Sequence, residues 1–346
     1  MLHASDCGSS SREKTPWEVL TLFSKRTFVA GLAAAAIFSS PFTVVAQEFP
    51  SKPVTLIVPW GAGGGTDATA RIIATLLEKE LGVPVPVENR TGGSGVVGHS
   101  AIANAKADGY TLGIATLEIG GMHYQGLTEI TYQDFTPIGL YNADPAAIFV
   151  RVDGPYADTN ALIEAIKSSG DRELKASGSA QGGVNHLAVA GMLNALEVPV
   201  TRVAWVPSEG AAPGLQDLAA GGVHFVAASL PEGQALMDAG RIKPIAIFGT
   251  ERSIDAPDVP TFTEETGVDF ALGSWRGIVA PAGVDAAIAE KLQTAIGNVL
   301  QQTEYTDFMA ARGYDMRWTS GADFEAFMAA SDAQMGITLK AVGLAK

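Results

Sequence analysis

The chain has 346 residues, 47% of them hydrophobic and 17% charged, with 39 glycines; this is the composition of an ordered globular protein, and the length allows about two domains. A formal net charge of −14 argues against nucleic acid and anionic membrane surfaces as partners, because both select basic faces.

Residues 1–46 differ from the rest. Lys25 and Arg26 precede an apolar run from Phe28 to Phe38, and Val44, Val45 and Ala46 form a small-residue exit, the layout of a secretory signal peptide cleaved after Ala46. An uncleaved membrane anchor is the alternative, but the run falls well short of the roughly 20 residues a spanning helix needs. Ser24 to Val29 loosely matches a twin-arginine signal with Lys in the first basic place, so export by the Sec or the twin-arginine route is expected. The residues before Ser24 fit no part of a signal, as a start codon assigned too far upstream would produce. Cleavage leaves 19 basic and 34 acidic residues, a charge of −15, and removes Cys7, the only cysteine. A periplasmic chain of this size then relies on its core rather than on disulfides.

From Gln47 onward short apolar runs alternate with helical patterns, the signature of a parallel sheet covered by helices. Strands are predicted at 54–58, 85–88, 111–115, 147–150, 174–177, 201–206, 223–227, 242–248 and 278–280. Helices are predicted at 67–81, 95–105, 161–168, 185–196, 212–220, 231–239, 285–302, 305–312 and 321–339. In the first helix Ala70, Ile73, Leu76, Leu77 and Leu81 recur at spacings of three and four, so one apolar stripe faces the sheet while Glu78, Lys79 and Glu80 face water. Thr66 or Asp67 can cap its start and Gly82 can end it.

Before that helix stands Gly61-Ala62-Gly63-Gly64-Gly65. A strand running through glycines into a helix leaves backbone amides unpaired at the positive end of the helix dipole, which suits phosphate or carboxylate. Nucleotide readings fail on particulars: no Lys follows the glycines as a P-loop requires, and Gly61 and Gly63 are followed by Thr66 where a dinucleotide fingerprint needs glycine. A tight turn serving helix packing alone remains the bland alternative. Two more glycine-rich helix starts, 91–95 and 178–183, also follow strands. In open α/β sheets ligands sit at the carboxyl ends of strands, so the three loops could share one cleft.

Several motifs in order resemble one family: Glu48-Phe-Pro-Ser-Lys-Pro-Val-Thr-Leu-Ile-Val-Pro, Gly-Gly-Gly-Thr-Asp at 63–67, Val-Glu-Asn-Arg at 87–90, Asp-Gly-Tyr-Thr-Leu at 108–112, Asp-Phe-Thr-Pro-Ile-Gly at 134–139 and Ala-Pro-Asp-Val-Pro at 256–260. From about Glu48 to the C-terminus the chain resembles the Bug (TctC) solute receptors, the extracytoplasmic substrate-binding components of tripartite tricarboxylate transporters. The resemblance implies an α/β, type II periplasmic binding protein fold of two lobes, each a mostly parallel sheet flanked by helices, with the ligand cleft between them. Lobe 1 is expected at 47–145 plus 273–346 and lobe 2 at 146–272, with crossovers near 143–146 and 273–276. It further implies a small organic acid ligand, integral membrane transporter subunits as partners, a monomer, and no enzyme activity or cofactor. Carried over by motif, the ligand site would use Gly64, Gly65, Thr66 and Asp67, with Gly93, Ser94 and Gly95 nearby. Trp60 would wall the pocket or pack beneath the loop, and Thr116 is a further contact. Lobe 2 would add Ser179, Ala180, Gln181 and Val184, then Pro207 and Ser208 in one loop, and Ser229.

Three departures bear on the ligand. Val206-Pro207-Ser208-Glu209-Gly210 replaces a usual Val-Pro-Tyr-Lys-Gly, changing the cleft rim. Ala228 stands where many members have an Asp able to pair with a ligand ammonium, which makes an amino-acid ligand less expected. Trp275-Arg276-Gly277 replaces Trp-Phe-Gly or Trp-Tyr-Gly, and Arg276 could grip a distal carboxylate with two parallel hydrogen bonds or be a surface Arg paired with an acidic residue.

No His pair has metal-ligand spacing, and His99, His123, His186 and His224 are expected to be structural, although His186 could cap its loop near the ligand. Gly-x-Ser-x-Gly is absent and no activated nucleophile is evident, so a secreted hydrolase would need residues distant in sequence. Presentation of the ligand to a sensor kinase, rather than to a transporter, is the alternative use of a binding protein.

Overall fold

The computed structural model describes residues 49–253 and 256–346; the export-signal reading of 1–46 lies outside the described residues. Strand β1 (Thr55–Val58) leads into helix α1 (Gly65–Leu81), β2 (Val87–Asn89) into α2 (Val96–Ala103), and β3 (Thr111–Thr116) into a 3-10 turn, Leu117–Gly120. Then comes a strand of 17 residues, β4 (Phe135–Arg151). After it the chain runs through α3 (Thr159–Ser168), β5 (Leu174–Ser177), α4 (Val184–Ala195), β6 (Val203–Trp205), α5 (Ala211–Ala220), β7 (Phe225–Ser229), α6 (Leu230–Asp238), β8 (Ile242–Ile247) and α7 (Phe262–Thr266). It returns through β9 (Gly273–Pro281) to α8 (Ala286–Leu300), α9 (Thr303–Ala310), β10 (Thr319–Ser320) and α10 (Gly321–Ala341).

The sheet is curled and continuous, in the order β2-β1-β3-β9-β4-β7-β5-β6, with β8 and β10 also on β4. Its two wings are parallel as the alternating pattern predicts: β1 with β2 and β3, and β5 with β6 and β7. The centre is antiparallel, because β4 runs through both halves and β9 returns beside it. Such neighbours need no crossover helix, so helix–strand alternation carries no signal for them. Prediction found only 147–150 of β4, since Pro137, Gly139 and Pro145 interrupt its apolar pattern; the register against β9 shifts at Pro137/Gly139 and Leu140/Asn142, where bulges absorb the breaks. The short helix α7, capped by Thr261 with Glu264 reaching back, was absent from the expected elements.

Each half has its own core. Leu56, Val58, Ile73 and Leu77 pack with Leu112, Ile114, Leu292 and Ile296 in the first. Ile148, Leu162, Ile166, Met192, Phe225 and Phe248 pack in the second. A further cluster spans both: Val184 and Leu187 of α4 meet Leu117, Met122 and Trp275.

Candidate functional site

Helix α1 begins without a side-chain cap. Its N-cap is Gly64, in extended backbone, and Thr66 and Asp67, expected as caps, lie inside the first turn. Asp67 reaches back instead, accepting from the Gly63 amide at 2.9 Å, from Asn89 Nδ2 at 2.9 Å and from Arg71, and so fixes the loop. Burial opposes its charge, but those donors prevail and hold the carboxyl below its usual range. Gly82 ends the helix in the left-handed conformation, as expected.

Helices α4 and α5 start the same way, with Gly183 and Gly210 as N-caps and no side-chain cap. By contrast α3, α7 and α8 carry Asp158, Thr261 and Asp285 caps bonded to their own amides. An uncapped start leaves first-turn amides for an outside partner, and the uncapped starts of α1, α4 and α5 line one cavity of about 50 Å³. Three positive helix ends facing one small space favour negative charge there.

Eight of the expected residues line this cavity: Trp60, Gly64, Gly65, Thr66, Thr116, Ser179, Val184 and Arg276. Trp60 both walls it and donates its indole N–H to Thr116 Oγ1 at 3.2 Å. The other expected residues do not line it. Gly95 packs on the Trp60 ring, since a Cβ there would lie 3.2 Å from it, with Gly93 in the same turn. Ser94 Oγ donates to the Gln181 carbonyl at 3.1 Å, tying the halves together; Ala180 packs against the core of the first half. Ser208, beside the exposed Pro207, donates its amide to the Ser179 carbonyl. Ser229 caps α6. Of the three glycine loops, then, the first and third reach the cavity, the second buttresses Trp60, and the Gly210 start of α5 takes the remaining side.

Arg276 is 2% exposed, not on the surface. From β9 it donates to Asn142 Oδ1, to Asp144 Oδ2 at 2.7 Å, to Thr66 Oγ1 at 3.2 Å and to Glu232 Oε1 at 3.3 Å. Asp144 also accepts from Asn142 Nδ2 and the Asp315 amide. Burial opposes the Arg276 charge, but Glu232 and Asp144 outweigh it and keep the guanidinium protonated. The same burial pushes the Asp144 carboxyl up, against the Arg276 charge. Buried ions need such partners. Gly65 is what lets Arg276 and Glu232 approach α1: a Cβ there would lie 2.7 Å from Arg276 Nη2 and 2.9 Å from Glu232 Oε1.

Other lining residues escaped the sequence reading. Glu118 is 4% exposed and accepts from Thr116 Oγ1 at 2.6 Å and from the Val184 amide at 3.0 Å. Ser274 lines the cavity with its buried hydroxyl unpartnered. Glu232 was legible only as part of a capping box, Ser229-x-x-Glu232. Ala228 is fully buried in an apolar cluster and does not line the cavity. Among the described residues no group of His, Cys, Asp and Glu is placed to hold a metal ion, and no helix is long and apolar enough to cross a membrane.

The model of the tripartite tricarboxylate transporter family receptor, TctC, matches residues 69–344. The chain belongs to the TctC receptor family. This TctC receptor is 31% identical over 276 residues to protein BugT of Bordetella pertussis, covering 78% of this chain and 83% of that one. Among solved structures, R. palustris Rpa4515 with adipate is 30% identical with a TM-score of 0.81, covering 86% of this chain and 99% of that one. MatC from Rhodopseudomonas palustris with bound malate is 27% identical with a TM-score of 0.77, over 84% of this chain and 100% of that one. The family and fold are those of periplasmic binding receptors.

Proposed function

We propose that this receptor captures a small organic carboxylate, a di- or tricarboxylate or a related acid, between its two halves and delivers it to the membrane subunits of a tripartite tricarboxylate-type transporter. The observation that carries the reading is the convergence of three helix starts with glycine N-caps, with Arg276 beside them, on one cavity. Amide dipoles in a closed, poorly hydrated space outweigh distant surface carboxylates, which salt screens within about 10 Å; a negative chain can therefore hold an anion. Adipate and malate in related structures support the ligand class.

In this reading residues 1–46 are the export signal and the mature receptor works as a periplasmic monomer. Lobe 1 comprises 47–145 plus 273–346, lobe 2 comprises 146–272, and the crossovers near 143–146 in β4 and 273–276 at the start of β9 absorb the rotation of closure. A thermal-shift screen over tricarboxylates, aliphatic dicarboxylates, aromatic acids and amino acids tests it. At least one acid should raise the melting temperature, because it binds the folded chain and not the unfolded one; a panel without any shift rejects the ligand class.

A further inference from the structure

Two glutamates face the cavity, and each crosses to a helix start in the other half. Glu118, in the turn after β3, accepts from the Val184 amide at the start of α4. Glu232, in the first turn of α6, accepts through Oε1 from the Gly65 amide at the start of α1, at 3.2 Å, and from Arg276 Nη2 at 3.3 Å. Two of the three uncapped starts, those of α1 and α4, therefore already hold one of the protein's own carboxylates. A cavity of about 50 Å³ has room for a few waters, given that one needs roughly 10–15 Å³, and is far below the roughly 300–1,000 Å³ of small-molecule sites. An acid enters only if something leaves.

The bonding shows which glutamate that is. Glu118 is tied at both oxygens, with a 2.6 Å bond from Thr116 that is itself steadied by Trp60. The contacts of Glu232 to α1 and Arg276 are long, and its Oε2 has a separate anchorage on the Ser229 amide and hydroxyl of its own helix, at 3.0 and 2.9 Å. Rotation of the carboxyl would release the Gly65 amide and Arg276 Nη2 while keeping the cap.

We propose that Glu232 is an internal competitor for the carboxylate site. In the empty closed receptor its carboxylate occupies the α1 start and the Arg276 fork, and the ligand's carboxylate binds by displacing it, so Glu232 sets the affinity for acids. Glu118 stays in place and keeps the α4 start closed to a second carboxylate. This rests on the carboxylate-binding reading.

Calorimetric titration of wild type, Glu232→Gln and Glu232→Ala with adipate, malate and citrate tests the idea. Loss of the competing charge should tighten binding of the same acid about tenfold in Glu232→Gln, as expected when a charge-assisted bond no longer has to be broken, and should lower the melting temperature of the empty protein. Glu232→Ala should share the tighter binding despite the lost cap. Wild-type binding with unchanged or weaker affinity in both variants overturns the competitor role and leaves the carboxylate reading standing. Binding by the variants but not by wild type supports it in its strongest form. Absence of binding in all three proteins removes both.

Discussion

Replacing Arg276 by Met keeps much of the side chain's apolar length and removes its charge. Asp144 and Glu232 then lose their shared cation, and Asn142 and Thr66 each lose a donor. Removing one partner of a buried ion pair costs about 3–5 kcal/mol. Asp144 keeps the Asn142 and Asp315 donors, and Glu232 can turn to its own cap, so the lower end of that range is expected. At roughly 2–4 °C per kcal/mol for chains of 150–250 residues, and less for a longer one, the melting temperature should drop by about 6 °C or somewhat less. Urea unfolding at pH 7 of wild type, Arg276→Met, Asp144→Asn and the double variant measures it. The double variant should be more stable than the sum of the single losses allows, because residue 144 is then no longer a buried ion without its counter-ion. The pH dependence has a definite sign. Burial already raises the Asp144 carboxyl and Arg276 opposes that rise; without Arg276 the folded state binds a proton more readily, so the deficit should shrink as pH falls from 7. A loss below about 1 kcal/mol, or strict additivity in the double variant, would refute the view of Arg276 as the central counter-ion.

Other outcomes follow from the same geometry. Burial lowers His99 and His186 to about 4, and Nδ1 of His186 accepts the Gly182 amide. Their contribution is full above the unfolded value of about 6.5 and is lost as pH falls toward 4, about 2 kcal/mol each between pH 7 and 5. Unfolding curves at the two pH values should show the loss, and His99→Gln with His186→Gln should flatten it; an unchanged slope contradicts the assignment. Gly98→Ala would place a Cβ 2.5 Å from Pro59 Cα and should destabilise by about 1–3 kcal/mol through overpacking, read by urea midpoint; wild-type stability would show that α2 can move. Gly65→Ala should abolish acid-induced thermal shifts, since the added carbon collides with Arg276 and Glu232; a wild-type shift would place the acid elsewhere.

Much of this was legible in sequence because it is local. The stripe of α1, its Gly82 stop and the glycine-rich starts of α1, α2 and α4 depend on residues a few positions apart. What escaped depends on tertiary placement. Arg276 reads as a lone cation until β4 brings Asn142 and Asp144 beside it, 134 and 132 residues away. Glu232 reads as a cap until the fold carries Gly65 to it across 167 residues. The first half of β4 was hidden by prolines and glycine that a bulged, antiparallel strand tolerates. Ala228 reads as informative because an Asp there could pair with a ligand ammonium, whereas the position packs in an apolar cluster.

The central claim is that a carboxylate is what the uncapped helix starts hold. Calorimetric titration of the wild-type receptor with the best acid from the screen, beside the same molecule with each carboxylate converted to its neutral amide, tests it most directly. Saturable one-to-one binding of the acid, with the amide at least a hundredfold weaker as a loss of about 2.7 kcal/mol requires, is the predicted result. Equal binding of acid and amide would contradict it.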